Sequence, residues 1–136
     1  MKKYLLIMGL VCFAISQISC SLFFPDIESE IAKIPEVKLV EYNWNTPTTG
    51  FYQIQGMVKN YGNGIASYTK IYWRFRDTTG NIAGSDYCYA DMTEISAGAT
   101  SGFDFTGYSK ETYNTCQIYQ ISCLDSKGNI VNTYKE

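Results

Sequence analysis

From Val37 onward the chain alternates apolar and polar side chains with a period of two, and turn residues interrupt the alternation at short intervals. Successive side chains of a β-strand point to opposite faces, so this pattern is that of half-buried strands and excludes an α-helical domain. The clearest run is "YTKIYWRFRD", where Ile71, Trp73 and Phe75 alternate with Lys70, Tyr72, Arg74 and Arg76. "FYQIQGMVKN" places Tyr52, Ile54, Gly56 and Val58 on one face, and "VKLVEYNW" sets Val37, Leu39 and Glu41 against Lys38, Val40 and Tyr42. "SGFDFTGY" presents Phe103 and Phe105, and "CQIYQISCLD" presents Tyr119, Ile121 and Cys123. "NIAGSDYCYA" and "NIVNTY" complete the set, with "NTPTTG", "NYGNG", "DTTG", "SAGAT" and "DSKGN" as the separating turns. About seven short, regularly spaced strands in roughly 100 residues predict an all-β fold, an antiparallel β-sandwich.

The stretch "GMVKNYGNG", Gly56 to Gly64, tests that reading. A phosphate-binding loop needs a helix start after its glycines, and here another strand follows. The stretch therefore reads as the end of a strand. Gly56 falls at an inward position where a side chain would meet a bulky neighbour, expected to be Trp73. The Asn60 side chain can bond nearby backbone, and Gly62 and Gly64 can take positive φ.

The first residues, "MKKYLLIMGLVCFAISQISC", have two lysines, an apolar run from Tyr4 to Ile15 and a short polar stretch ending in Ser19. This is the pattern of an export signal, and the apolar run is short for a bilayer of ~30 Å. Gln17, Ile18, Ser19 and Cys20 resemble the end of a bacterial lipoprotein signal, with Ser19 fitting best and Gln17 departing. That resemblance implies a cut before Cys20 and a lipid on the Cys20 thiol, which would anchor the chain to a membrane. The expected organisation is a signal peptide over 1–19, a lipid-anchored tether over 20–36 and a sandwich domain over 37–136. Within the tether, Pro25, the spacing of Ile27, Ile31 and Ile34, and Pro35 predict a short helix near 26–33.

Without Lys2 and Lys3 the chain keeps nine basic and thirteen acidic side chains, about −4. Arg74 and Arg76 are the only arginines, so the basic patch that nucleic-acid binding needs is absent. Cys88, Cys116 and Cys123 fall inside the domain. Cys116 and Cys123 are seven residues apart on one strand, roughly 23 Å at ~3.3 Å per residue, too far to bridge. An intramolecular disulfide must then use Cys88, and Cys88 with Cys116 is the expected pair. The alternative is three reduced thiols packed as small apolar groups.

"GMVKNYGNG", "IYWRFRDTTGNIAGS" and "ISAGATSGFDF", in that order, resemble the FxLYD-type immunoglobulin-like domains of exported bacterial proteins. Trp73, Phe75 and Asp77 followed by Gly80 fill one element of the pattern, and Ile95, Gly98 and Phe103 fill another. Arg76 stands where the family name has Tyr, and Trp73 where it has Phe. The resemblance spans about Val37 to Ile130. It implies an immunoglobulin-like sandwich in the bacterial cell envelope, periplasmic or surface-facing, and it brings no catalytic residues with it.

Histidine is absent, which removes histidine-based nucleophile systems and His-ligated zinc. The cysteines form no CxxC pair, and Asp86, Asp91, Glu94 and Asp104 lack the spacing of a calcium loop. No metal and no cofactor are expected. Twelve tyrosines remain as the functional signal. Tyr72, Tyr87, Tyr89, Tyr108 and Tyr113 are the candidate binding surface, since exposed tyrosine offers a broad contact and a polar tip for protein or glycan. Cross-strand pairing that merely stabilises the sheet is the plainer use of the same rings. The expected function is a non-catalytic binding lipoprotein of the envelope. A structural subunit that pairs by its sheet edge is the alternative, and a small hydrolase or calcium-binding module is the more remote one.

Overall fold

The computed structural model describes residues 33–46, 50–109 and 112–135. The expected signal, Cys20 and all but the last residue of the helix expected near 26–33 lie outside them. The folded unit runs Lys33–Glu136.

Eight antiparallel strands form two sheets: β1 (Val37–Asn45), β2 (Phe51–Asn60), β3 (Ala66–Arg76), β4 (Ile82–Tyr89), β5 (Glu94–Ile95), β6 (Thr100–Tyr108), β7 (Thr115–Leu124) and β8 (Ile130–Lys135). One sheet has the order β1-β2-β6; the other has β4-β3-β7-β8, with β5 beside the start of β3. The domain is thus an all-β sandwich with no helix among the described residues. Two-residue β5 is the only strand that the alternation in the sequence does not show, because two residues carry no period. The two hairpin turns "DTTG" and "DSKG" are built alike. The Asp77 carboxylate accepts the N–H groups of Thr79 and Asn81, and Asp125 accepts those of Lys127 and Asn129.

The core lies between the sheets. Trp73, Phe75, Ile71, Ile121, Ile118, Ile54, Val58 and Phe103 are all nearly or fully buried in it. Burying a side chain of this size contributes roughly 1.5–3 kcal/mol. Tyr52 crosses the layer edge-on to Phe75, with ring centroids 4.7 Å apart, and its hydroxyl donates to Asp86 on the opposite sheet at 3.2 Å.

Bulges change which side chains face this core. A register shift between Leu39 and Glu41 ends the inward sequence of Val37 and Leu39 and turns Trp44, rather than Glu41, towards the core. In β7, Trp73 pairs Ile118 and Tyr72 pairs Gln120, so Tyr119 is an extra residue. Cys116 and Ile118 are buried before it, Ile121 and Cys123 after it. Tyr119 is therefore not the inward residue that strict alternation predicts. Gly56 is inward as expected, but its neighbour is not Trp73. A Cβ there would collide with the Phe103 ring and the Glu41 carbonyl.

The stretch from Asn60 to Gly64 joins more of the chain than a strand end requires. Asn60 is fully buried. Its Oδ1 accepts the N–H groups of Glu36 and Gly62, each at 3.0 Å, and its Nδ2 donates to the carbonyls of Gly64 at 2.7 Å and Ile95 at 2.9 Å. Its own backbone bonds Ala99 and Gly98. Asn63 accepts the N–H of Ile34, and Glu36 accepts that of Tyr61. Residues 33–36, the last of the expected tether, are thereby sewn onto the domain, with Pro35 buried. Gly62 and Gly64 make no use of the positive φ open to them. They are glycine because the backbone of Lys33–Glu36 lies where their Cβ atoms would be.

The expected Cys88–Cys116 disulfide is not formed; Cys88, Cys116 and Cys123 are free and buried. β4 and β7 flank β3 on opposite sides, and Cys88 lies beside Ile71 while Cys116 lies beside Phe75. Two strand spacings of ~4.8 Å and four residues of rise separate them, far beyond the ~7 Å limit between Cα atoms. Burial pushes the thiols up, Cys88 and Cys116 to about 12 and Cys123 to about 11.

Two outcomes follow from this packing. Asn60→Ala strands four backbone groups, and should lower the stability read from urea denaturation by about 3 kcal/mol or more. Loss of less than 1 kcal/mol would show that the network is incidental. Maleimide labelling with peptide mapping should leave residues 88, 116 and 123 unmodified in the native protein and modify all three in denaturant. Since folding raises these thiol pKa values from 9.0, their contribution to stability is complete below pH 9 and is lost as pH climbs towards 12.

Candidate binding face

The strands of the larger sheet turn their second set of side chains away from the core, and the ladder aligns these in rows. One row reads Tyr89, Lys70, Ser122 and Asn132 across β4, β3, β7 and β8. The next reads Tyr87, Tyr72 and Gln120, and the third Ser85, Arg74 and Gln117. Neighbouring strands are ~4.8 Å apart, so residues of one row are within contact range. The rings of Tyr72 and Tyr87 lie 5.6 Å apart, Tyr87 and Tyr89 6.1 Å, and Tyr72 and Tyr119 6.3 Å.

Cations stand among these rings. The Lys70 ammonium lies 4.6 Å from the Tyr87 centroid and 5.2 Å from that of Tyr89. The Tyr89 hydroxyl beside it holds Lys70 above its ordinary value, so it is charged at neutral pH. The Arg74 guanidinium lies 5.5 Å from the Tyr119 ring and donates to Gln117. At exposed sites each such contact contributes about 0.5–1 kcal/mol.

The face opens into a groove of about 560 Å³ at the β5 end of the sheet, lined by Tyr68, Lys70, Tyr72, Tyr89, Gln120, Ser122, Cys123, Leu124, Ile130 and Asn132. No carboxylate lines it. Gln120 Nε2 donates to Asn132 Oδ1 at 3.1 Å, which presets two amides on its polar side.

Tyr68 reaches this groove through a bulge. Ser67 pairs Leu124 and Lys70 pairs Ser122, so Tyr68 and Thr69 together oppose Cys123 alone. Tyr68 has φ of 49°, and among the described residues it is the only non-glycine with positive φ. Glycine is the ordinary occupant of such a bulge position, and a side chain with a Cβ is strained there by roughly 1–2 kcal/mol. The ring is nonetheless 58% exposed. The same bulge buries Thr69, whose Oγ1 has no hydrogen-bond partner.

The structure brings together three of the five tyrosines singled out in the sequence, Tyr72, Tyr87 and Tyr89. Tyr108 lies on β6 in the other sheet, edge-on to Phe51 at 5.4 Å. Tyr113 is no surface ring. It is half-buried and stacked on Phe75 at 4.0 Å and 4°. Sequence reasoning missed Tyr119, because strict alternation was carried through a bulge that only the ladder reveals. It also missed Tyr68, which stands in phase with Lys70 and Tyr72 at the head of its run, and that spacing was the available signal.

The acids find other uses. Glu41, Asp91 and Asp104 line a shallow groove of about 510 Å³ by the smaller sheet. Asp104 accepts from Gln53, and Asp86 from Tyr52. Among the described residues, no three His, Cys, Asp or Glu side chains converge as a metal site. No helix of the described residues is long and apolar enough to cross a membrane.

No family model matches this sequence, and no curated protein does. Among solved structures, the domain is similar to a protein described as ApaA from Bordetella pertussis, with a TM-score of 0.55 at 10% identity over 77% of this chain and 92% of that one. It is also similar to the C-terminal domain of wzt, with a TM-score of 0.52 at 9% identity over 74% of this chain and 68% of that one. At such identities the likeness is one of fold alone.

If Tyr68 is kept for its ring rather than for the backbone, Tyr68→Gly should not destabilise the domain. Relief of the strained φ, partly offset by glycine's entropy, should raise stability by up to about 1 kcal/mol, seen as a higher urea midpoint. A drop of more than 1 kcal/mol would instead make Tyr68 a packing residue.

Proposed function

We propose that this protein is a non-catalytic binding protein of the bacterial cell envelope, anchored through a lipid on Cys20, with the outer face of the β4-β3-β7-β8 sheet as its binding surface. The observation that carries this reading is the face itself: five tyrosines, Tyr68, Tyr72, Tyr87, Tyr89 and Tyr119, share it with Lys70 and Arg74, and three of them, Tyr68, Tyr72 and Tyr89, line a groove free of carboxylates. Rings held on strands lose little entropy when they bind, and each joins an apolar plane to a polar tip. A non-catalytic role is supported by the absence of histidine and by the raised pKa values of the buried thiols, which deny the chain its usual nucleophiles and bases. The envelope address rests on the signal-like N-terminus and on the FxLYD-type pattern described above. A lipid on Cys20 would supply ~0.8 kcal/mol of membrane affinity per buried CH₂.

A second reading, pairing by a sheet edge, has its own observation. The Ser109 N–H bonds Gly50, so the odd-numbered residues of β6 face β2. Asp91 N–H covers the Gly102 carbonyl, whereas the backbone groups of Asp104 and Thr106 face outward with no bond to described residues. Such an edge accepts an added strand.

The test of the address is intact mass on protein from the membrane fraction beside a Cys20→Ser variant. The expected wild-type chain starts at Cys20 and carries lipid mass, and the variant leaves the membrane. A chain that keeps residues 1–19, or a soluble one without lipid, would overturn the anchor.

A further inference from the structure

The groove on the tyrosine face is mixed, with Leu124 and Ile130 on its apolar side. Its polar side is made of neutral hydrogen-bonding groups, the Gln120 and Asn132 amides and the Ser122 hydroxyl, and Ser122 is only 6% exposed. Its rim is the rings of Tyr68 and Tyr89, and its one charge is Lys70. A ligand that satisfies all three features needs flat C–H faces to lie on phenol rings, hydroxyls in register with amides, and a negative group within reach of an ammonium.

We infer that this groove binds a saccharide chain bearing an anionic group, stacked on Tyr68 and Tyr89 with its charge at Lys70. The assignment rests on the binding-face reading above and names the ligand class for it. Charge points to an anion: both arginines of the chain and Lys70 occupy outward positions of β3, although the chain as a whole is acidic, and Glu41, Asp91 and Asp104 gather by the other sheet. Conformation points to a ligand at Tyr68. A ring 58% exposed is held at φ 49° where glycine would sit unstrained, and strain of this kind clusters where a side chain must be aimed. A polyanion alone would make no use of the rings, and a neutral sugar would make no use of Lys70.

Three polymers separate these contributions: polygalacturonate has sugar and charge, dextran has sugar without charge, and polyglutamate has charge without sugar. Affinity electrophoresis of the full chain at low salt should show retardation by polygalacturonate, weaker retardation by dextran and none by polyglutamate. Tyr68→Gly and Tyr89→Ala should each weaken polygalacturonate binding by about three- to tenfold. Lys70→Gln should weaken it by about five- to tenfold and leave dextran binding unchanged, and the wild-type advantage over this variant should shrink at high salt. Urea midpoints of the variants exclude misfolding as the cause. Equal retardation by polyglutamate, or polygalacturonate binding that ignores the tyrosine variants, would overturn the inference. Failure to bind either polysaccharide would overturn it as well. The binding-face reading would then stand only if a Tyr72→Ala, Tyr89→Ala double variant lost cross-links to an envelope protein that the wild type makes, and would fall with it otherwise.

Discussion

The domain depends on one buried amide. Asn60 closes β2, and its side chain spends every hydrogen-bonding position on backbone: two N–H groups, of Glu36 and Gly62, and two carbonyls, of Gly64 and Ile95. These belong to three segments: the entry into β1, the loop between β2 and β3, and β5. A buried backbone group left unpaired is destabilising by about 1–3 kcal/mol, so a single side chain that satisfies four holds the end of the sandwich shut. Aspartate, of nearly the same shape, lacks the two donors, and glutamine is a methylene too long for a site already closed by the backbone of residues 33–36. Gly62 and Gly64 are a consequence of the same device, because that backbone passes where their side chains would be.

The bulges are the second constraint, and they convert a regular pattern into a specific surface. Each shifts the parity of its strand. In β7 the extra Tyr119 lets Cys116 and Cys123, seven residues apart, both face the core, which strict alternation forbids. In β3 the bulge at Tyr68 and Thr69 sends a ring outward and a hydroxyl inward. The core absorbs these changes because its centre, Ile71, Trp73 and Phe75, keeps strict alternation along β3 itself, the extra residue opposite it lying on β7. The free thiols fit the same logic. Placed on strands either side of β3, they fill small volumes in the core and cannot meet.

The two outer faces have different chemistry. The larger sheet presents rings interleaved with cations and amides; the smaller presents carboxylates beside a shallow groove. On a strand scaffold the spacing of side chains is fixed by the ladder, so such a face is preorganised without any loop having to order. A sandwich of this kind hosts many roles, and its relatives in fold decide none of them. What favours binding is the face itself and the strain at Tyr68.

Much of this was legible in the sequence. The period of two fixed the strands, the Gly- and Asp-rich punctuation fixed the turns, and Asn60 was marked as a residue that bonds local backbone. Tyr72, Tyr87 and Tyr89 were singled out together with Tyr108 and Tyr113, and only the first three lie on the adjacent strands β3 and β4, whose ladder sets them side by side. What failed was everything that crosses between strands: the neighbour of Gly56, the pairing of Cys88 with Cys116, the inward turn expected of Tyr119 and the surface role expected of Tyr113. The physical reason is that alternation is a local property of one strand, whereas a bulge, a thiol separation or a ring stack is set by the register of its partner. The sequence by itself determined that this chain would be a sandwich of short strands. Only the tertiary structure decided which tyrosines share a face and that one asparagine would hold three segments together.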